Sequence, residues 1–478
     1  MRDLCAEALD CAVAAGASYA DARALVRRDQ LVATRGGTVA SVSDQESEGI
    51  GVRVLLDGAW GFACDRRLSE EGAREAARLA CDFARAAGTG RERRLAPVEP
   101  RQVEYRSDVQ TDPFAVSVAD KVALCLRAEE GMQQPGIVVT VARLRAFSEH
   151  KVLMTTDGVE ADQERVECGG GIEAIAAEEG VVQTRSYPSG SGGRSAQAGW
   201  EFVDELALDR EAPRVGEQAV ALTKAPVCPS GRMTIVLDPD QLTAQLHESV
   251  GHPTELDRIH GMEAAYAGTS FLSADDLGNL RYGSPKMNIT SDARTPLGLG
   301  TFGFDDEGVP AQREAIVEEG VLRGFLTSRE TAARIGAGVG GCMRADGWSR
   351  MPLVRMTNLH LEPGEGTFED LLADVDDGVY FETNKSWSID DKRLNFQFGT
   401  QIAWEIKSGK LGRMLRDATY MGTTPIFWSG LDAVGGAGDW QLYGLTNCGK
   451  GQPGQHAHVS HGTSPARFRN VQVGVRDV

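Results

Sequence analysis

The 478-residue chain is 41% hydrophobic and 25% charged, the balance of a soluble globular protein with room for two or more domains. Its net charge of −19 argues against a nucleic-acid partner, whose phosphates it would repel, and is neutral toward peptides. No apolar run reaches membrane-helix length, the N-terminus lacks a signal-peptide core, and nine scattered cysteines without a CxxC pair suit reduced thiols in the cytoplasm.

In chain order, residues 3–15 read as an Ala-rich helix. Tyr19–Arg27, Gln30–Thr34 and Gly49–Leu56 read as strands, and the turn Asp57-Gly58 closes a hairpin onto Ala59–Phe62. Ser69 caps a helix running to Ala86, with Glu70 and Glu71 placing negative charge on its first turn. A second cycle follows. Ser117-Val-Ala-Asp120 is a capping-box pattern whose helix runs to about Glu130. Gly136–Glu149 and Lys151–Asp157 then read as a hairpin, with more strand over Val159–Glu178. Gly190–Arg194 reads as a flexible loop. The two helix-hairpin cycles hint at duplication, without a letter-by-letter repeat.

Residues 209–224 read as another helix, and Ala225-Pro-Val-Cys-Pro-Ser-Gly231 breaks the pattern. The expected organisation is therefore α+β. An N-terminal α/β domain with antiparallel strands covers 1–224, and a strand-rich C-terminal domain covers 225–478. In the second half, Met287–Asp292, Arg313–Val317, Val354–Leu361 and Phe396–Ile406 are strand candidates. Hairpin turns fit at Glu318–Gly320 and Ser408-Gly409, and short helices at Ser328–Ile335 and Thr367–Ala373. An antiparallel sheet or barrel around one helix is expected.

That helix follows the strand Arg232–Leu237. Asp238 is its N-cap, Pro239 suits the first helical position, and Gln241 fits the returning partner of a capping box. Leu242, Leu246 and Val250 form its buried stripe, with His247 at the edge. Residues 247–252 then read His-Glu-Ser-Val-Gly-His, an HExxxH pattern. Two imidazoles with a carboxylate beside the first can hold a zinc ion and take a proton from its water. The histidines stand at i and i+5, about 500° around a helix and roughly 140° off a common face. A metal site therefore requires distorted backbone, which permissive Gly251 and Pro253, with no N–H for the Ser249 carbonyl, can supply as a π-type widening.

A third ligand is needed. Cys448, in a turn with Gly449 and Gly451, is one candidate. His456, His458 and His461 crowd a polar C-terminal stretch that reads as a solvated loop. His260 is too near the motif to turn back, and Cys228 reads as structural. Glu255 and Asp257 either orient the imidazoles or form an exposed acidic face, and Asp305-Asp306-Glu307 reads as a solvated turn.

HExxxH followed by Glu255-Leu-Asp257 resembles the signature of the TldD/PmbA family of metallopeptidases, on its metal-bearing TldD branch. Phe304-Asp-Asp-Glu-Gly-Val-Pro310, Arg355-Met-Thr-Asn-Leu359 and Asn447-Cys-Gly-Lys-Gly451 fit the same pattern, so the resemblance spans nearly the whole chain. It implies that His247, His252 and Cys448 bind one zinc ion and that Glu248 is the catalytic base. It also implies two domains and a dimer with a related metal-free PmbA/TldE-like subunit, a homodimer being the other arrangement. Pro253 and the segment Gln455-His-Ala-His458 depart from the pattern, the latter leaving room for His456 or His458 near the site. A thiolate ligand would leave the zinc unit at +1, its water less acidic and Glu248 correspondingly more important.

The leading expectation is a cytoplasmic zinc-dependent peptidase acting on peptides or unfolded segments, with no nucleic-acid or membrane partner. Two alternatives stand beside it. One is a peptide-binding or maturation-partner protein with a structural zinc, one C-terminal histidine serving as fourth ligand. The other is a scaffold in which the motif is accidental.

Overall fold

The computed structural model describes residues 1–474 except 89, 91, 191, 266 and 267. Its first sheet comprises β1 (Tyr19–Arg35), β2 (Thr38–Leu56), β3 (Ala59–Asp65), β4 (Arg101–Arg106), β5 (Ile137–Thr155), β6 (Val159–Glu178), β7 (Val181–Tyr187) and β8 (Arg194–Ala196). The order is β3-β2-β1-β5-β6-β4, with β7 and β8 also on β6. Helices α1 (Arg2–Ala14) and α2 (Glu70–Ala86) cover one end of its long strands; α3 (Val118–Met132), α4 (Trp200–Leu206) and α5 (Leu208–Lys224) cover the other. Small residues let these layers approach closely: a Cβ on Gly61 would lie 1.9 Å from the Ala80 carbonyl oxygen of α2.

Two sequence readings are corrected in this sheet. Tyr19–Arg27 and Gln30–Thr34 are one strand, because Arg28 pairs with Asp44 on β2 and Asp29 with Arg145 on β5, so the polar break stays in the ladder. Gly136–Glu149 and Lys151–Asp157 are likewise not a hairpin. β5 runs straight through His150, whose ring bonds Asp162 of β6 at 2.9 Å, and the turn falls at residues 156–158 with Gly158 at φ +84°. Of the loop expected at 190–194, residue 191 lies outside the described residues and Arg194 opens β8.

The second half carries β9 (Gly231–Leu237), β10 (Ile289–Asp292), β11 (Arg313–Glu318), β12 (Val321–Leu322), β13 (Met343–Arg344), β14 (Leu353–Val354) and β15 (Asn358–Leu361). Then follow β16 (Asp377–Ile389), β17 (Asn395–Lys407), β18 (Lys410–Leu415), β19 (Thr419–Thr423), β20 (Leu431–Val434), β21 (Gln441–Lys450), β22 (Gln455–Thr463) and β23 (Ala466–Val473). One sheet has the order β12-β11-β10-β15-β22-β21. The other runs β16-β9-β23-β19-β17, and β16 pairs back onto β17, closing a ring of five strands. Phe396, Phe398, Tyr420, Phe427 and Phe468 are buried in its core, Phe427 and Phe468 stacking at 4.2 Å. The α+β class stands, but β4–β6, β9–β16 and β15–β22 are parallel, against the antiparallel pairing expected.

The span Val354–Leu361 is also corrected. It splits into β14 and β15 because Arg355 turns out of the ladder, its guanidinium donating to the carbonyls of Cys448 and Gln455. The polar segment at 455–463 is strand β22, not a solvated loop, and Asn447-Cys448 lies in β21, not a turn. Asp305, Asp306 and Glu307 are buried. Lys151 reaches Asp306 at 2.6 Å, and Arg53 bridges Asp21 at 2.7 Å and Glu307 at 3.1 Å. The acidic turn thus fastens the second half to the first sheet. Asp306 and Glu307 carry charge into the core because each meets a cation, whereas Asp305 accepts the backbone N–H groups of Glu307, Val309 and Met343, and burial beside Glu307 pushes its carboxyl up to about 8.

Candidate metal centre

Helix α6 (Pro239–Leu246) packs against β16, β21 and β22. Asp238 caps it by accepting the Gln241 N–H at 2.8 Å. Gln241 does not complete the expected capping box. Its amide instead donates to Tyr420 Oη at 2.8 Å and accepts from Asn384 at 3.0 Å. Leu242, Leu246 and Val250 are fully buried, as their spacing predicts.

From His247 to Gly251 the helix widens to a π turn, in which the His252 N–H donates to the His247 carbonyl five residues back. The widening carries i and i+5 onto one side. Pro253 leaves the Ser249 carbonyl without its helical donor, and Tyr282 Oη fills the vacancy at 2.6 Å. Thr254 Oγ1 donates to the Val250 and Gly251 carbonyls at 2.8 and 2.9 Å. Gly251 is fixed by packing, not by its backbone angles: a Cβ there would stand 2.2 Å from Met356 Sδ.

Cys448 arrives from β21. The β21–β22 register slips between Leu445 and Cys448, a bulge that re-aims the chain toward α6. Cys448 Sγ lies 3.2 Å from His247 Nε2 and 3.9 Å from His252 Nε2. The three donor atoms fall within 4.8 Å of one another, and all three residues are buried. Zinc bonds of 2.3 Å to sulfur and 2.0–2.1 Å to nitrogen at a tetrahedral angle imply an S···N distance of about 3.6 Å, which the two observed values bracket. The donor set and spacing fit a zinc ion.

Both imidazoles are in ligand form, since burial lowers their pKa and keeps them neutral. His252 Nδ1 bonds Glu255 Oε2 at 3.0 Å; a carboxylate only accepts, so Nδ1 carries the proton and Nε2 offers its lone pair. His247 Nδ1 meets His461 Nε2 at 2.7 Å, and burial drives His461 well below the usual histidine range. Burial pushes the Cys448 thiol up, but Arg355, 3.1 Å from the sulfur, and His252 outweigh it, so the net pKa is lowered toward the thiolate.

Glu248 lies in the same cavity, about 230 Å³ in volume, with its carboxylate paired to Arg393. A second cavity of about 380 Å³ lies between the two halves, and Asn447 lines both.

Of the residues weighed beside the motif, Glu255 is the orienting carboxylate, and neither it nor Asp257 forms an exposed face. Asp257 does not reach an imidazole; its oxygens take Lys450 Nζ, each at 2.9 Å. His458 pairs with Glu167, and His456 lines the second cavity, so neither approaches the donor trio. His461, read as part of a loop, is fully buried behind His247. A period-two signal marked it: Gln455, Ala457, Val459 and His461 share the buried face of β22. Arg355 and Arg393 were missed as site residues, having no local pattern to announce them.

Three family models match the chain: PmbA/TldA metallopeptidase domain 1 over residues 20–84, the central domain over 111–225, and the C-terminal domain over 230–475. A Synechocystis metalloprotease is 30% identical over 93% of this chain and 92% of its own. A Saccharolobus solfataricus protein named a zinc metalloprotease TldD homolog is 22% identical over 59% of this chain and 60% of its own. The solved structure of TldE from Thermococcus kodakarensis superposes with a TM-score of 0.74 at 15% identity, covering 99% of this chain and all of that one.

Proposed function

The chain belongs to the PmbA/TldD metallopeptidase family, and from that premise we propose a zinc-dependent peptidase acting on peptides or unfolded polypeptide segments. His247, His252 and Cys448 hold the metal and Glu248 is the general base. The observation that carries this reading is the convergence of two imidazoles and a distant thiol beside a cavity-lining carboxylate. The relative named a zinc metalloprotease supports zinc as the ion.

When bound, zinc supplies Lewis-acid activation of water and of the scissile carbonyl. Glu248 accepts the proton released in the attack and returns it to the departing amine. Glu255 and His461 hold the ligand imidazoles in register, and Arg355 keeps the Cys448 sulfur anionic and fixed. β21 ends its sheet beside Cys448, so its open edge suits an extended substrate main chain. On this reading the chain comprises domains 1–224 and 225–478, works in the cytoplasm, and pairs with a TldE-like subunit or a second copy of itself. A wholly structural zinc requires a fourth protein ligand, whereas the donor group among the described residues has three members.

Metal content and peptide cleavage, measured side by side, test the proposal. Wild type and Glu248→Gln should each carry about one zinc per chain, with cleavage of an unstructured peptide lost only in the variant. Cys448→Ser should lose both. Full cleavage by Glu248→Gln, purified free of other proteases, overturns the assignment of the base.

A further inference from the structure

The larger cavity, about 380 Å³, lies where the two halves meet, and none of the three zinc donors lines it. Its volume falls within the roughly 300–1,000 Å³ of ordinary ligand pockets. In a chain of net charge −19 its wall is rich in cations: Arg27, Arg145, Lys151, Arg165 and Arg344. The carboxylates beside them are already engaged. Arg145 holds Asp29, Lys151 holds Asp306 and Arg27 holds Asp346. Asp305, raised as it is, is mostly uncharged at pH 7. Behind the wall, Glu149 is shared by Arg27 and Arg165.

Arg344 is the one of the five cations without a carboxylate partner among the described residues. Its Nη1 donates to the carbonyls of Met356 and His458 at 3.1 and 2.7 Å, and its Nη2 to that of Leu299 at 3.4 Å. The guanidinium also lies over the Phe302 ring at 5.8 Å, so its plane is fixed. Burial, with Arg165 and Arg355 nearby, lowers its pKa to about 10, and it stays a cation among like charges.

Donors are left over in this wall, and they face open space. Arg344 Nε, Arg27 Nη2, Arg145 Nη1 and the Nε and Nη1 of Arg165 make no hydrogen bond among the described residues, yet none of them is a buried atom. Arg165 is only 9% exposed, so the space its free nitrogens open onto is the cavity it lines. Fixed guanidinium donors converging on one enclosed space suit a carboxylate. The cavity also adjoins the metal centre. Asn447 lines both cavities, and Ala457, the ladder partner of Cys448, lines this one.

We propose that this cavity is a subsite for an acidic side chain of the substrate, a glutamate or aspartate within about three residues of the scissile bond, since an extended peptide advances about 3.3 Å per residue. The identity of the ligand rests on the peptidase reading; the anion site does not.

The test uses full-length, zinc-loaded protein and N-acetylated, C-amidated octapeptides with one glutamate at successive positions. Glutamine at the same positions is the reference. Calorimetry on Glu248→Gln, which holds peptides uncleaved, should show about tenfold tighter binding for glutamate at one or two adjacent positions and no preference elsewhere. In that background Arg344→Gln should remove most of the preference and Arg145→Gln should reduce it, both with wild-type zinc content. Arg145 is 31% exposed in its side chain, so its variant keeps the test open if Arg344→Gln does not fold. In turnover, glutamate at the preferred position should raise kcat/KM, and less so once either arginine is replaced. Equal binding of glutamate and glutamine peptides at every position overturns the proposal. So does a glutamate preference that both variants retain, because the site then lies elsewhere. Inorganic phosphate that binds through Arg344 while the peptides go undiscriminated marks a site for a free anion and overturns the assignment to a peptide. Glutamate-selective binding without cleavage of any peptide sinks the peptidase reading and leaves the subsite standing; cleavage without glutamate selectivity does the reverse.

Discussion

Replacing Glu255 with glutamine should separate the orientation of a ligand from the stability of the fold. Glu255 is fully buried, and its Oε2 accepts from His252 Nδ1 at 3.0 Å, Arg258 Nε at 3.2 Å and Lys450 Nζ at 3.4 Å. Two carboxylates, Glu255 and Asp257, face two cations, Lys450 and Arg258, so the cluster is neutral. Glutamine keeps an acceptor for the imidazole N–H but removes the charge. A hydrogen bond to a charged group contributes about 1.5–3 kcal/mol and a neutral one about 0.5–1.5, so the His252 contact weakens by roughly 1–1.5 kcal/mol, or about tenfold in zinc affinity. That agrees with the 10–100-fold range typical of residues behind metal ligands. Removing one charge from this buried ion cluster also costs up to about 3–5 kcal/mol of folding stability.

Zinc affinity by competition with a chromophoric chelator, and denaturant midpoints of metal-free protein, measure the two effects separately. Glu307→Gln is the control. It takes one of two carboxylate partners from buried Arg53, which keeps Asp21, and Glu307 is not among the donor residues. It should lose some stability yet bind zinc as wild type does. If both variants weaken zinc equally, the loss is global and the orienting role of Glu255 is wrong. Wild-type zinc affinity in Glu255→Gln refutes it as directly.

Gly251→Ala drives a Cβ into Met356 Sδ at 2.2 Å and Leu359 Cδ1 at 2.9 Å, so overpacking of about 1–3 kcal/mol and weaker zinc binding are expected. Met356→Ala in the same chain should recover most of the zinc affinity, and failure to recover any would put the cause in the backbone. Burial pushes the Asp306 carboxyl up, but Lys151 and Arg23 outweigh it and hold the net value below the usual one. Its folded value therefore lies under that of the unfolded chain, and the ion pair stabilises the protein above about pH 3.9, a contribution lost as pH falls through the folded value. Lys151→Gln should thus lower the melting temperature at pH 7, with the gap from wild type narrowing toward pH 3. A gap independent of pH would show that Asp306 does not depend on Lys151.

The metal helix was legible because its causes are local. Asp238 and Pro239 start it, Leu242, Leu246 and Val250 aim it, and Gly251 with Pro253 announces the irregular turn that i and i+5 histidines require. Each effect acts within about one helical turn. The long strands were less legible, since Arg28, Asp29 and His150 look like breaks and stay in the ladder only through partners on neighbouring strands.

The residues misread as solvated follow one rule. Asp306, Glu307 and His461 are polar, and polar residues are usually exposed. What overturns that default is a partner far along the chain: Lys151 for Asp306, Arg53 for Glu307, His247 for His461, while Asp305 of the same turn is held by the backbone N–H groups of Glu307, Val309 and Met343. A buried charge is tolerable only when such a partner arrives, and no window of sequence contains both. The donor trio has the same long-range character, Cys448 standing 201 positions from His247. It was reached only because the resemblance supplied what spacing could not. Arg393 had neither advantage. Its 145-residue separation from Glu248 hid it, and only the closed ring of β16 and β17 brings its guanidinium over the cavity.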